Sequence, residues 1–234
     1  MKIVLRRLRK AYPDAKVALH HSNPLELLVA TILSAQCTDE RVNMVTPVLF
    51  AKYRTPGNYV AANPKQLEQE IRSSGFYRAK ARNIIGCCRM LVDEFHGNVP
   101  MSMEELTRLP GVGRKTANVL LGNVAGIAEG IVVDTHVTRL SQRLGFSKND
   151  AAEKIEQDLM EIVPKKDWIA VGNLLIWHGR RICQARKPKC LDCTLGDICP
   201  SFKKLVGEIP DSKPQNPNKL QPSKSKSHFS EFGI

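Results

Sequence analysis

The sequence lacks any apolar stretch long enough to cross a membrane, and the apolar run in residues 1–7 is too short for a signal peptide. These two absences predict a soluble protein that remains in the cytoplasm and has no membrane partner. Acidic residues are also scarce: 23 Asp and Glu stand against 35 Lys and Arg in 234 residues, giving a net charge of +12. Such an excess of positive charge favours a polyanionic partner, for which nucleic acid is the first candidate.

Alternating apolar and polar residues, the pattern of a half-buried strand, are missing over any useful length, and no internal repeat is present. Apolar residues recur instead at helical spacing, so the predicted fold class is all-α. Several helix starts carry their own signals, with a capping side chain before a proline at Asn23-Pro24, Thr55-Pro56 and Asn63-Pro64. Ser102 and Glu105 have the spacing of a capping box. The last residues, 206–234, are rich in Pro, Ser, Lys and Asn and are predicted to be a disordered tail.

The segment Leu109-Pro-Gly-Val-Gly113 combines a glycine-rich turn with the start of an Ala-containing apolar helix. Glycines permit a tight turn and close backbone approach, so the amides of Gly111, Val112 and Gly113 can converge on an anion. The N-terminus of the following helix adds partial positive charge at the same place. Lys115 lies in the first turn of that helix, where the helix dipole and partial burial would both favour a neutral amine. The alternative is an ordinary turn with a solvated lysine.

A carboxylate follows this helix at Asp134, in the segment Val132-Val-Asp-Thr-His136. An aspartate before Thr-His is also a plausible helix N-cap. A capping carboxylate stays ionised, which suits a group that stabilises a cationic transition state. An anion-binding turn, an amine and a carboxylate in this order predict chemistry on a nucleic acid backbone.

Four of the seven cysteines are crowded at the C-terminal end of the chain, with six, two and five residues between them: Cys183, Cys190, Cys193 and Cys199. In a reducing compartment such crowding indicates a metal site rather than disulfides. Four thiolates bind either zinc or an iron–sulfur cluster, and the single CxxC pair is less typical of zinc. The other three, Cys37, Cys87 and Cys88, lie on or beside apolar helix faces and are predicted to be core residues.

Together, the glycine hairpin, Lys115, Asp134 and the cysteine spacing resemble the endonuclease III family of helix-hairpin-helix DNA glycosylases, over residues 20–204. The resemblance implies two helical lobes with DNA in the cleft between them. Residues 21–130 would form a six-helix barrel with the hairpin. Residues 131–205 would form the cluster domain, with residues 1–20 packed on it. It also implies that the four cysteines hold a [4Fe-4S] cluster.

The resemblance further implies roles for single residues. Lys115 would be the nucleophile and Asp134 its carboxylate partner. Gln36 would fill the space of a base flipped out of the duplex, and Phe76, where leucine is commoner, would wedge the opposite strand. The cations of the cluster loop, Arg186, Lys187 and Lys189, would contact DNA phosphates. His178 is interpreted as a structural residue.

The implied activity is that of a monomeric glycosylase and AP lyase that removes oxidised pyrimidines from damaged double-stranded DNA and nicks the strand. Two alternatives stay open. One is a mismatch or pyrimidine-dimer glycosylase on the same scaffold, and the other is a non-catalytic DNA clamp that uses the hairpin as a grip. In a prokaryote the enzyme would be associated with the nucleoid. The connection from Gly122 to Gly130 is about one residue longer than in the best-known bacterial members, so we expect this loop to take a different path from theirs.

Overall fold

The computed structural model describes residues 1–207, and every regular element in that range is helical, which confirms the all-α prediction. Twelve α-helices are present there: α1 (Lys2–Ala11), α2 (Pro24–Ser34), α3 (Asp39–Lys52), α4 (Pro56–Val60), α5 (Pro64–Glu70), α6 (Tyr77–Phe95), α7 (Met103–Arg108), α8 (Arg114–Leu120), α9 (Thr135–Arg143), α10 (Ala152–Ile162), α11 (Trp168–Arg181) and α12 (Phe202–Gly207).

The predicted helix starts carry side-chain caps. The Asn23 side chain accepts a hydrogen bond from the Glu26 backbone N–H at 3.0 Å, which satisfies one of the free amides at the start of α2. Thr55 completes a reciprocal capping box at α4. At α7 only half of the predicted box forms. The Ser102 hydroxyl accepts from the Glu105 amide at 3.2 Å and donates to the Glu105 carboxylate at 2.7 Å.

Two separate clusters of buried apolar side chains hold the helices together. The first gathers side chains from Leu19 to Leu121, contributed mainly by α2, α3, α6 and α8. The second joins Val4, Leu5, Leu8 and Tyr12 on α1 to side chains between Ile131 and Leu195. The N-terminal helix therefore packs with the C-terminal helices, far from it in sequence. The exact division at residues 20, 130 and 205 stays a prediction.

The predicted tail begins at residue 206, and α12 extends to Gly207. The rest of that predicted segment, residues 208–234, lies outside the described residues.

Candidate active site

Lys115 is the second residue of α8, directly behind the glycine hairpin. Among residues 1–207 no side chain caps this helix, so its first amides are free to meet an anion. The Lys115 side chain is exposed, and it lines an open cleft. The partial burial that the sequence suggested for this amine is therefore not present in the chain alone. A bound partner would have to exclude water from it.

Asp134 is the N-cap of α9. Its Oδ1 accepts hydrogen bonds from the backbone N–H groups of His136 and Val137 at 2.8 and 2.9 Å. No donor among residues 1–207 bonds its Oδ2. Capping thus fixes the orientation of the carboxylate and leaves one oxygen available. The half-buried Asp134 also lines the cleft that holds Lys115.

The cleft that contains both groups encloses about 1620 Å³, including its open side. Its walls come from the segment after α2, the start of α8, the start of α9 and the end of α11. An ion pair crosses it, with Arg180 Nη2 of α11 lying 2.6 Å from Asp39 Oδ2 of α3. Lys115, Asp134 and Gln36 all line this one cleft.

The two hairpin glycines are needed for different reasons. Gly111 has φ +80°, and a Cβ there would lie 2.9 Å from the Asn83 Cβ, so both the backbone conformation and the packing require glycine. Gly113 has φ −94°, and a Cβ there would meet no atom of residues 1–207 within 4 Å. The packing of the described residues therefore does not require glycine at this position.

Val112 does not fit its predicted role in anion binding. Its side chain is 5% exposed and belongs to the first apolar cluster. Its backbone N–H donates to the Leu109 carbonyl at 3.0 Å, which closes the turn. Both groups are already engaged inside the chain, whereas the backbone N–H groups of Gly111 and Gly113 have no backbone acceptor among the described residues.

The long connection after α8 begins with a π-helical segment, Leu121–Ala125. The Ile127 N–H donates to the Leu121 carbonyl at 2.9 Å, and Gly126 ends the segment in the left-handed region at φ +67°. A π-helical turn takes up more residues per hydrogen-bonded ring, so the wider turn accommodates a long connection. This segment lies in the chain between Lys115 and Asp134.

Gln36 and Phe76 share an unusual backbone conformation, with φ of +52° and +47°. Left-handed φ values are unfavourable for side chains of this size, and they concentrate at functional sites. Phe76 is 65% exposed and is therefore not part of the apolar core. Gln36 is also exposed and follows the C-cap Ala35, so it is not itself the helix cap.

The four clustered cysteines line a single cavity that encloses about 380 Å³, together with Arg143 and His178. Hydrogen-bond donors approach two of the sulfurs: Arg143 Nη1 lies 3.3 Å from the Cys183 Sγ, and the Leu195 N–H lies 3.4 Å from the Cys193 Sγ. Within residues 1–207, no three histidine, cysteine or acidic side chains lie close enough to hold a single metal ion. The cysteines surround a space rather than a point.

His178 has the structural role that was predicted for it. It is 2% exposed, and its Nδ1 lies 2.9 Å from the Tyr12 hydroxyl and its Nε2 lies 3.4 Å from the Cys193 Sγ. Burial lowers the pKa of His178 to about 4, so the ring is neutral at pH 7.

The predicted core cysteines Cys87 and Cys88 are buried, whereas Cys37 is half-buried beside Gln36 and lines the cleft.

The three cations of the cluster loop, Arg186, Lys187 and Lys189, are all exposed. In the part of the chain that the structure describes, no acidic side chain pairs with any of them. Lys187 also has a left-handed backbone, with φ +50°. These side chains are therefore available to an external anion.

An ion pair that was not predicted from the sequence lies beside the lysine. Arg114, the residue before Lys115, donates from Nε and Nη2 to the Glu156 carboxylate of α10 at 2.9 and 3.1 Å. Asn118 of α8 donates to the same carboxylate at 3.1 Å. The partners are 42 and 38 residues apart, and no local spacing signals such a pair. It ties the helix that carries Lys115 to the C-terminal helices.

Across residues 1–207, no helix combines the length and the apolar character that crossing a membrane requires.

Comparisons with known proteins agree with this geometry. Residues 29–165 match the HhH-GPD superfamily of base excision DNA repair proteins. An endonuclease III of Synechocystis is 52% identical over 198 residues, which cover 85% of this chain and 90% of that protein. A non-covalent endonuclease III–DNA complex superimposes with a TM-score of 0.85 at 48% identity, covering 88% and 97% of the two chains. A trapped endonuclease III–DNA covalent intermediate gives a TM-score of 0.84 at 48% identity, covering 88% and 96%.

Proposed function

The chain belongs to the endonuclease III family of the HhH-GPD superfamily, and on that premise we propose that it is a bifunctional DNA glycosylase and AP lyase of base excision repair. One observation carries the assignment of the residues: an amine, Lys115, and a fixed carboxylate, Asp134, line the same open cleft. The similar structure trapped as a covalent DNA intermediate supports a covalent mechanism.

Lys115 is the proposed nucleophile. Its neutral amine attacks C1′ of the damaged nucleoside, the bond from C1′ to the base breaks, and the base leaves with the bonding electrons and is then protonated. The Asp134 carboxylate stabilises the positive charge that develops on the sugar. Ring opening and loss of the amine proton leave a Schiff base between Lys115 and C1′. Removal of a 2′ proton then expels the 3′ phosphate by β-elimination, and water releases the lysine.

The proposed partner is damaged double-stranded DNA. The amides of Gly111, Gly113 and the first turn of α8 bind a phosphate on one side of the cleft. Arg186, Lys187 and Lys189 contact further phosphates. Gln36 takes the place of the flipped nucleotide, and the exposed Phe76 enters the stack from its own loop, outside the cleft lining.

The cysteines Cys183, Cys190, Cys193 and Cys199 are the proposed ligands of a [4Fe-4S] cluster. They fit this group because they surround a cavity, whereas a zinc ion needs all its thiolates about 2.3 Å from one point. The donors from Arg143 and Leu195 would stabilise thiolate ligands. When bound, the cluster cross-links the loop that carries the three cations, and it takes no part in the covalent steps above.

The proposed domain organisation is two lobes, residues 21–130 and residues 1–20 with 131–205, supported by the two apolar clusters. A monomeric state and a cytoplasmic location are part of the same proposal.

The substrate class is tested by borohydride trapping. Duplexes that each carry one defined lesion are incubated with the protein and borohydride, and covalent complexes are resolved on a denaturing gel. We expect complexes with oxidised pyrimidines. Trapping only on mismatches or pyrimidine dimers would show that the enzyme acts on those substrates instead. Tight binding without trapping or nicking on any duplex would show that the protein is a non-catalytic DNA clamp.

A further inference from the structure

Lys80 of α6 is a buried lysine with no role in the steps above. Its side chain is 4% exposed, which is rare for lysine because an ammonium loses its hydration on burial. Within residues 1–207 no acidic side chain pairs with it. A buried cation without a carboxylate costs stability, so its retention calls for a physical reason.

The Lys80 ammonium joins two segments that are distant in sequence. Its Nζ donates to the Leu33 carbonyl and to the Ser74 carbonyl, each at 2.7 Å. Leu33 lies in the last turn of α2, where carbonyls have no helical partner, and Ser74 ends the short helical turn before α6. No backbone N–H of the described residues bonds either oxygen. The Lys80 ammonium supplies the missing donor to the carbonyl at the end of each of these two helical segments.

Each of these segments ends in a residue that the proposed function places in the DNA. Gln36 follows Leu33 by three residues, and Phe76 follows Ser74 by two. Both have left-handed φ values that need support from their surroundings. The Lys80 backbone N–H also donates to the Phe76 carbonyl at 3.1 Å. The Lys80 side chain thus bonds the segment before Gln36 and the segment before Phe76, and the Lys80 backbone bonds Phe76 itself.

We propose that Lys80 is a positioning residue that holds Gln36 and Phe76 at a fixed separation, so that filling the vacated base position and wedging the opposite strand occur together. A single ammonium bonded to two carbonyls prevents the two loops from moving independently. An apolar side chain of similar length would fill the same space but leave both carbonyls without a donor. The inference rests on the proposed function, because it concerns residues that act on a duplex.

The test compares Lys80→Met, which keeps length and loses the N–H donors, with Ile84→Ala. Ile84 is fully buried one turn further along α6, so its truncation loosens the same helix. The probe is a duplex with a stable abasic-site analogue opposite 2-aminopurine, whose fluorescence rises when it is unstacked. At saturating protein, we expect the wild-type protein and Ile84→Ala to brighten it equally and Lys80→Met to brighten it several-fold less.

A double-mutant cycle separates positioning from general destabilisation. The fold loss in excision rate caused by Lys80→Met is measured in the wild-type background and in a Gln36→Ala/Phe76→Ala background. A positioning role predicts that the loss disappears in the second background. The same fold loss in both, as expected for Ile84→Ala, would overturn the proposal. If Lys80→Met does not fold, Lys80→Gln, which keeps an N–H donor but is shorter, enters the same cycle.

Different results would contradict the proposed function and the role of Lys80. A wild-type protein that neither brightens the probe nor excises a lesion contradicts the proposed function. A wild-type protein that does both, with Lys80→Met equal to it in fluorescence, contradicts only the role of Lys80.

Discussion

Asp134 is both a helix cap and the proposed stabilising carboxylate, and two substitutions separate these roles. Asn caps helices as well as Asp, so Asp134→Asn keeps the bonds to the His136 and Val137 amides while it removes the charge. We expect little change in the free energy of unfolding and a loss of about 10²–10³-fold in base excision. Asp134→Ala should lose a similar amount of activity and also about 1 kcal/mol of stability.

Urea unfolding and single-turnover excision measure the two quantities. Equal excision rates for Asp134→Asn and the wild-type protein would show that the residue only caps α9.

Lys115 provides the second test at the residue scale. Lys115→Gln keeps a polar side chain of similar reach but has no nucleophilic amine. We expect it to lose base release, nicking and borohydride trapping, while affinity for a damaged duplex changes little because the hairpin amides remain. Lys10→Gln, a change at an exposed position on α1, is the control and should react like the wild-type protein. Continued trapping of Lys115→Gln would assign the nucleophile to another residue.

Residues whose role depends on local backbone were predictable from the sequence only in part. The positions of Lys115 and Asp134 follow from the hairpin and the capping signal, because both signals are local. The left-handed conformation of Gln36 and Phe76 has no such signal, since neither residue type favours it. Exposure of the Lys115 amine was likewise unpredictable, because it depends on the shape of a cleft built from five separate segments.

At the scale of elements, the hairpin offers a pair of glycine substitutions that the structure distinguishes. Gly113→Ala places a methyl group in open space and keeps an ordinary φ, so we expect unchanged stability and weaker DNA binding. Gly111→Ala forces alanine into a left-handed φ and against Asn83, so it should cost about 1–2 kcal/mol from the backbone alone. Thermal unfolding and DNA titration give the two readouts.

Lost stability in Gly113→Ala, with unchanged stability in Gly111→Ala, would contradict the roles given to the two glycines. If Gly113→Ala binds damaged and undamaged duplexes as the wild-type protein does, no phosphate lies against that backbone.

Helices were predicted more reliably than the contacts between them. The starts at Asn23, Thr55 and Asn63 were predictable because a cap and a following proline act within one turn. The π-helical segment Leu121–Ala125 was not, because its apolar sequence is equally compatible with α-helix. Ion pairs between elements, such as Arg114 with Glu156, depend on how distant segments pack and leave no pattern in the sequence.

At the scale of the whole molecule, the four cysteines allow the cofactor to be tested independently of activity. Cys190 is 8% exposed and lines the cavity with the other three. We expect the purified protein to be brown and to contain iron and acid-labile sulfide, and Cys190→Ser to lose both together. Cys88→Ser, at a buried cysteine of the first apolar cluster, is the control and should retain both. Stoichiometric zinc in aerobic and anaerobic preparations alike would contradict the cluster.

The net charge of +12 makes binding of the whole molecule to DNA depend on salt. Each phosphate that a cation neutralises contributes a slope of about −0.9 in log K against log salt. Lys187 is exposed and has no acidic partner among the described residues, so Lys187→Ala should reduce the slope magnitude by about one on damaged and undamaged duplexes alike. Lys10→Ala removes the same charge from an exposed position on α1 and should leave the slope unchanged.

Gly113→Ala completes this comparison, because it obstructs the backbone without removing a charge. It should lower affinity at every salt concentration and change the slope less than Lys187→Ala does. A slope reduced equally by Lys10→Ala and Lys187→Ala would mean that only total charge matters. An unchanged slope for Lys187→Ala, with unchanged affinity for Gly113→Ala, would mean that the DNA lies on a different surface, and the docking proposed for the hairpin and the cluster loop would be wrong.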